Sequence, residues 1–237
     1  MKLEKIIQKF EAKIPLELQE SWDHSGLNLG NTDIDVSHVL FSYDICLEAI
    51  DEAVANGCQL IVSHHPFRMK ADVAIDFNRR YEDRIIEKAI KNNVALYACH
   101  TNHDASELSL NRFYLNKLGL EQIKSLSPNL QDPTLGIGCH AIASKPIAVD
   151  DCLKQIKTLF KVQNIRFVRS KKSSFQKIGI CTGSGASLID HAIALDLDLF
   201  ITGDVKYHQA IHAKRHDLAI ADVGHFYSEI DSVNLLR

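Results

Sequence analysis

The 237-residue sequence has no long apolar run, no paired-cysteine motif, no large excess of either charge, no internal repeat and no low-complexity segment. Each absence excludes something. A membrane helix needs roughly 18 consecutive apolar residues, and nothing here approaches that. Residues 1–13 alternate charges with Ile6, Ile7 and Phe10, where a secretory signal would need a continuous apolar stretch; the expected location is the cytoplasm. The six cysteines, at positions 46, 58, 99, 139, 152 and 181, form no C-x-x-C pair, which argues against disulfides and a cysteine-type zinc site and for reduced, buried thiols. With 27 Lys+Arg against 30 Asp+Glu the formal charge is −3, so the surface as a whole has no electrostatic reason to hold nucleic acid or an acidic membrane.

The chain carries 46% apolar and 24% charged residues, an ordinary globular balance, and its length suits one to two domains at roughly 150 residues each. Leu3, Ile6, Ile7 and Phe10 recur at helical spacing and predict an amphipathic helix over 2–14. Short apolar runs then alternate with helical patterns: strands over 39–43, 59–63 and 94–98, helices over 47–56 (closed by Gly57), 81–91 and 108–118. That alternation predicts βαβ units. Residues 127–138 concentrate Pro, Gly, Asn and Asp and read as the internal boundary, giving an N-terminal lobe over 1–126 and a C-terminal lobe over 127–237. The second lobe reads as a strand over 139–143, a helix over 151–160 capped by Asp150 or Asp151, a strand over 165–168, and strand-to-helix turns after strands at 178–181, 199–202 and 218–221. The expected fold class is α/β: two similar-sized α/β lobes with largely parallel sheets.

What the chain has in surplus is histidine, twelve in all, several beside carboxylates. Three such clusters lie just past predicted strand ends: His64 and His65 in VSHHPF, His100, His103 and Asp104 in HTNHD, and His225 and Glu229 in GHFYSE. Open α/β sheets bind ligands at the carboxyl ends of strands. His100 and Asp104 share a face at i and i+4 if the chain turns helical there, and His225 and Glu229 have the same spacing. Any one of these pairs is ordinary surface or hydrogen-bonded polarity; three together weigh towards a metal. His64, His65, Asp104, His225 and Glu229 make a mixed N/O set suited to Zn, Mn, Fe or Ni, and two carboxylates among five ligands suit a pair of ions. Other signals are weaker. The stretch 181–187 (CTGSGAS) could cradle phosphate through its backbone, or could be a small-residue turn for close packing. The 202–208 loop carries Asp204, which could reach the same crevice or cap a helix. Arg166, Arg169, Lys171, Lys172 and Lys177 read as a solvated turn.

Taken in order, SWDHSGLNLG, VSHHPF, HTNHD, CTGSGAS, ITGDVKYHQA and DVGHFYSE resemble the Nif-three-like family, many of whose members are called GTP cyclohydrolase 1 type 2 or its homologue. The motifs extend from Ser21 to Glu229, and the chain matches the short form without an inserted domain. The resemblance implies a dinuclear metal site in the cleft between two α/β lobes, a toroidal homohexamer, and metal ligands at His64, His65, Asp104, His225 and Glu229, with His100 near the metals. Two divalent ions imply hydrolysis, one lowering the pKa of a water and the other polarising the group attacked. The family's named reaction opens the imidazole ring of GTP and releases formate on the way to 7,8-dihydroneopterin triphosphate. His100 or His103 then suits proton transfer, and Lys206 and residues 183–187 suit triphosphate contact. Alternatives are a metal-dependent phosphoesterase or other hydrolase, and a non-catalytic metal-binding or adaptor protein.

Overall fold

The computed structural model describes residues 1–68, 75–77 and 80–237. The chain divides into two compact units, one made of Met1–Ser106 with Ser232–Arg237, the other of Glu107–Asp231.

The first unit opens with α1 (Leu3–Glu11) and a short 3-10 turn, Leu16–Leu18. It continues through β1 (Gly26–Leu29), β2 (Val39–Ser42), α2 (Leu47–Ala55), β3 (Leu60–Ser63), α3 (Tyr81–Lys91), β4 (Ala95–Ala98) and the single helical turn α4 (Thr101–Asp104). The sheet order is β1-β4-β3-β2, with β2, β3 and β4 parallel and β1 antiparallel along β4. Every residue of β3 and β4 is buried because both faces of the sheet are covered. Leu60, Val62, Ala95 and Tyr97 meet Leu3, Ile6, Ile7 and Phe10 of α1 on one face. Ile61 and Leu96 meet Ala49, Ile50 and Ala53 of α2 with Ile85 and Ala89 of α3 on the other. This two-sided burial is why these strands read as unbroken apolar runs. Strand β1 lies where the sequence reads as a loop. It is a four-residue edge strand, irregular between Leu27 and Leu29, and two leucines alternating with a Gly and an Asn are too short a pattern to separate a strand from a loop.

The second unit comprises α5 (Leu110–Lys117), β5 (Lys124–Pro128), β6 (Gly136–Ala148), α6 (Val149–Leu159), β7 (Arg166–Val168), β8 (Ser174–Ile180), α7 (Ile189–Ala194), β9 (Leu199–Thr202), α8 (Tyr207–Arg215), β10 (Ala219–Asp222) and α9 (His225–Glu229). Its sheet runs β5-β6-β8-β9-β10-β7. Here the expectation of a largely parallel sheet is corrected: β8, β9 and β10 are parallel, but β5 with β6, β6 with β8 and β7 with β10 are antiparallel. For β5 and β6 the physical reason lies in the connection. Parallel neighbours need a crossover of a dozen or more residues, and β5 and β6 are joined by 129–135 alone. That segment falls within the stretch read as the boundary. It is a hairpin turn in which Asn129 Oδ1 accepts from Gln131 N (2.8 Å) and Asp132 Oδ1 from Thr134 N (3.0 Å), and turn-forming residues mark a hairpin as readily as a linker. Helix α6 has Ala148 at its N-cap with no side-chain cap, so Asp150 and Asp151 sit in its first turn and do not cap it.

The core of this unit joins Phe200 and Ile220 of the sheet to Ile189, Ala192 and Ala213 of the flanking helices. Three of the five basic residues pair with aspartates: Arg166 with Asp222, Lys172 with Asp198 (2.6 Å) and Lys177 with Asp196 (2.9 Å). The chain's last helix, α10 (Ser232–Leu236), belongs to the first unit, where Leu236 joins the α1 face of the core. All six cysteines are free thiols, and burial pushes Cys99 and Cys139 up to about 12. Among the described residues no helix is long and apolar enough to cross a membrane.

Candidate metal centre

Strands β3 and β4 are parallel neighbours whose last residues, Ser63 and Ala98, pair. The segments that follow their carboxyl ends therefore emerge side by side: His64 and His65 after β3, His100 to Asp104 after β4. His64 is fully buried, and its Nδ1 lies 3.0 Å from the carbonyl oxygen of Cys99. A carbonyl only accepts, so Nδ1 carries the proton and the neutral ring holds its lone pair on Nε2. His65 Nδ1 lies 2.8 Å from Asp44 Oδ1, and His100 Nδ1 lies 2.8 Å from Asp23 Oδ1; the same reasoning puts both lone pairs on Nε2. Ligand-type atoms of His64, His65 and His100 fall within 4.8 Å of one another, as do those of His64, His103 and Asp104.

The turn α4 is what delivers Asp104. Its amide donates to the His100 carbonyl at 3.0 Å, closing the i, i+4 turn the spacing predicted. Asp23 anchors the arrangement from the WDHSG segment. It is buried and accepts from Thr101 N (3.0 Å), Thr101 Oγ1 (2.5 Å) and Ser25 Oγ (2.7 Å) besides His100. Burial opposes its ionisation, but the hydrogen bond and charge of His100 and the two hydroxyls outweigh it, holding the carboxyl well below the usual range. Trp22, next to it in sequence, is exposed, with its ring 5.9 Å from that of His100.

In the second unit β9 and β10 are again parallel neighbours. His225 begins α9 after Gly224, its Nδ1 2.6 Å from Asp204 Oδ2 and its Nε2 2.9 Å from Glu229 Oε2. Glu229 is only 3% exposed. Its hydrogen bond, against the opposing effect of burial and with help from Asp204, pushes His225 up to about 9. An imidazole flanked by two carboxylates is a place where positive charge is held. Asp204 does not cap α8, whose N-cap is Lys206; it orients His225 instead.

The 181–187 loop packs against this pair. Gly183 has φ +65°, and a Cβ there would stand 1.9 Å from Glu229 Oε1. The Gly183 amide donates to Ser228 Oγ (2.8 Å), that of Gly185 to Thr202 Oγ1 (3.1 Å) and that of Thr182 to Asn111 Oδ1 (2.9 Å). With these three donors engaged inside the protein, this part of the loop is a small-residue packing turn.

The residues fit a metal on their own chemistry. Imidazole nitrogens and carboxylate oxygens match Zn, Mn, Fe or Ni. His64 Nε2 and Asp104 Oδ1 are 4.0 Å apart, beyond hydrogen-bonding range and close to the span of two metal–ligand bonds of about 2.0–2.1 Å each. Metal-binding histidines characteristically donate their second nitrogen to a carboxylate or carbonyl, as His64, His65, His100 and His225 all do. Sequence reasoning missed Asp23, Asp44 and Asp204 as the groups that orient these rings. A signal existed: Asp44 and Asp204 each sit two residues past a strand end, with His65 and His225 just past the end of the next parallel strand.

Fold and site define a two-sheet α/β protein bearing His/carboxylate groups of metal-ligand type. The chain belongs to the Duf34/NIF3 (NGG1p interacting factor 3) family, which it matches over residues 1–237. A Clostridium perfringens protein named GTP cyclohydrolase 1 type 2 homolog is 34% identical over 229 residues, covering 97% of this chain and 87% of that one. The Campylobacter jejuni protein of the same name is 33% identical over 229 residues, covering 97% and 88%. A Staphylococcus aureus crystal structure matches with a TM-score of 0.88 at 26% identity, over 99% of this chain and 89% of that one. A Bacillus cereus protein related to NIF3 matches in fold, with a TM-score of 0.89 at 22% identity, over 100% and 92%.

Proposed function

We propose that this protein is a dinuclear metal-dependent hydrolase of the GTP cyclohydrolase type, opening the imidazole ring of GTP and releasing formate to give 7,8-dihydroneopterin triphosphate. His64, His65 and Asp104 from one unit, with His225 and Glu229 from the other, would hold two divalent ions of the Zn, Mn, Fe or Ni type. The observation that carries the reading is the set of histidines whose Nδ1 atoms are fixed by Cys99 O, Asp44, Asp23 and Asp204, the pattern of metal-ligating histidines, with His225 Nε2 meeting the Glu229 carboxylate. The relatives named GTP cyclohydrolase 1 type 2 homolog support the substrate.

Such ions, when bound, acidify water and polarise the group attacked. The protein's own groups orient and move protons. Asp44 and Asp204 hold the His65 and His225 rings in register. His100, with Nδ1 held by the ionised Asp23, exchanges a proton at Nε2, and the carboxylate stabilises the imidazolium that results. His103, buried beside His64 and Asp104, is the second proton-transfer group. A cytoplasmic homohexamer acting on a small molecule, without nucleic acid or membrane as a partner, completes the proposal, with Lys206 and residues 183–187 as the triphosphate contact.

The test is metal content per chain, followed by incubation of loaded protein with GTP while formate and pterin fluorescence are recorded, with Asp104→Ala as control. Formate and fluorescence that vanish in Asp104→Ala support the proposal. Phosphate without formate would move the protein to the phosphoesterases. Metal binding without turnover of GTP would favour an adaptor, and no metal uptake at all would overturn the site.

A further inference from the structure

Helix α8 carries His208 and His212, and His216 is its C-cap residue, a four-residue spacing that continues one stripe past the end of the helix. None of them belongs to the groups described above. The rings of His212 and His216 are 4.6 Å apart between centroids. His212 Nε2 lies 2.7 Å from Asp190 Oδ1 on α7, and since the carboxylate accepts, the neutral ring keeps its lone pair on Nδ1. His216 Nδ1 lies 3.0 Å from the carbonyl oxygen of His212, which leaves the His216 lone pair on Nε2. Both rings reach solvent.

We infer that His212 and His216 form a surface site for a borderline divalent cation, Zn, Ni or Cu, with Asp190 as its orienting carboxylate. Three features carry this. His212 in the last turn of α8 and His216 at its C-cap have the i, i+4 spacing by which an H-x-x-x-H pair grips a single ion. Each ring has one nitrogen engaged by an oxygen acceptor and the other carrying the lone pair, the pattern found in metal-ligating histidines. Asp190 repeats on the surface what Asp44, Asp23 and Asp204 do for His65, His100 and His225. Water completes the coordination, and Lys214 and Arg215, exposed on the same helix, disfavour a larger, more highly charged cluster. His208 is outside the site. It stands eight residues from His216, about 12 Å along a helix axis, and its ring lies against Tyr207 at 5.2 Å.

Copper is the sensitive probe, since it binds imidazole most tightly among these ions. Cu2+ is titrated into the full-length protein as purified, sites are counted by equilibrium dialysis, and nitrogen hyperfine structure is read by electron paramagnetic resonance. The wild type should bind one more Cu2+ per chain than the double variant His212→Gln, His216→Gln, with the two-nitrogen signal lost in the variant and the melting temperature unchanged. Asp190→Asn should weaken that site by about 10–100-fold, and His208→Gln should leave it intact. Asp104→Ala should also leave it intact, so failure of the ligand set proposed above and failure of this one are told apart. An unchanged copper count and signal in the double variant, or an equal loss in His208→Gln, overturns the inference.

Discussion

Gly183 and Gly119 have nearly the same left-handed backbone, φ +65° and +73°, and both lie in the second unit, yet their surroundings differ completely. Nothing lies within 4 Å of a Cβ built on Gly119. Alanine there meets only the left-handed penalty, roughly 1–2 kcal/mol, partly offset by about 0.4–1 kcal/mol from the less flexible unfolded chain. A Cβ on Gly183 would stand 1.9 Å from Glu229 Oε1, 2.8 Å from its Cδ and 3.2 Å from His225 Nε2. Ordinary contact begins near 3.5 Å, so the carboxylate must withdraw by about 1.5 Å. That breaks its 2.9 Å bond to His225 while the group remains almost fully buried. Depriving a buried charged acceptor of its partner costs roughly 1.5–3 kcal/mol. Gly183→Ala should therefore lose about 1.5–3 kcal/mol more than Gly119→Ala. At about 2–4 °C per kcal/mol for a chain of this size, the separation is roughly 3–12 °C. The assay is calorimetric melting of both variants after chelator treatment, so that bound metal does not blur the comparison, followed by metal uptake. Gly119→Ala should take up metal normally and Gly183→Ala should not. Equal melting temperatures, or normal uptake by Gly183→Ala, would refute the link between this glycine and the His225/Glu229 pair.

Two further outcomes follow from single contacts. Asp44→Ala frees the His65 ring from its 2.8 Å anchor and should weaken metal binding by about 10–100-fold, read by competition with a chromogenic chelator; an unchanged affinity would mean that His65 is oriented by something else. Asp198 joins β8 to β9, accepting from Lys172 Nζ (2.6 Å), Gln176 N (2.6 Å) and Lys177 N (2.8 Å). Burial opposes its ionisation, but these donors prevail and lower its pKa. A lowered folded pKa means the stabilisation is present above the ordinary aspartate value near 3.9 and disappears as pH falls through the folded value. Asp198→Asn should lose about 2 kcal/mol at pH 7 and show a flatter acid limb in denaturation curves taken from pH 6 to 3; an unchanged limb would place the titration elsewhere.

The parallel core of each unit was legible because burial on both faces writes strands as apolar runs. The runs at 39–43, 59–63 and 94–98 became β2, β3 and β4, and α3 matches the predicted 81–91. The antiparallel edges were not legible. Strands β1 and β5 take their conformation from pairing with β4 and β6, and nothing local in GLNL or KSLSP demands it. The 127–138 segment misled for a related reason: Pro, Gly, Asn and Asp report a change of chain direction, whether it joins two strands or two units.

The site shows the same division between local and non-local information, and one regularity crosses it. The ligand-type residues were found because they cluster in sequence; the aspartates that aim them were missed because they lie 21, 77 and 21 residues upstream of His65, His100 and His225. Two of these separations are equal for a structural reason. In β2-α2-β3 and again in β9-α8-β10, an aspartate stands two residues beyond the first strand, at Asp44 and Asp204. A histidine stands just beyond the second. Parallel pairing in register, Ser42 with Ser63 and Thr202 with Asp222, brings the two loops side by side, and the length of one helix plus its turns sets the sequence separation. The two units thus build the same Asp–His device from one βαβ geometry without any repeat in sequence, because pairing register and crossover length fix the contact while the intervening residues are free to differ.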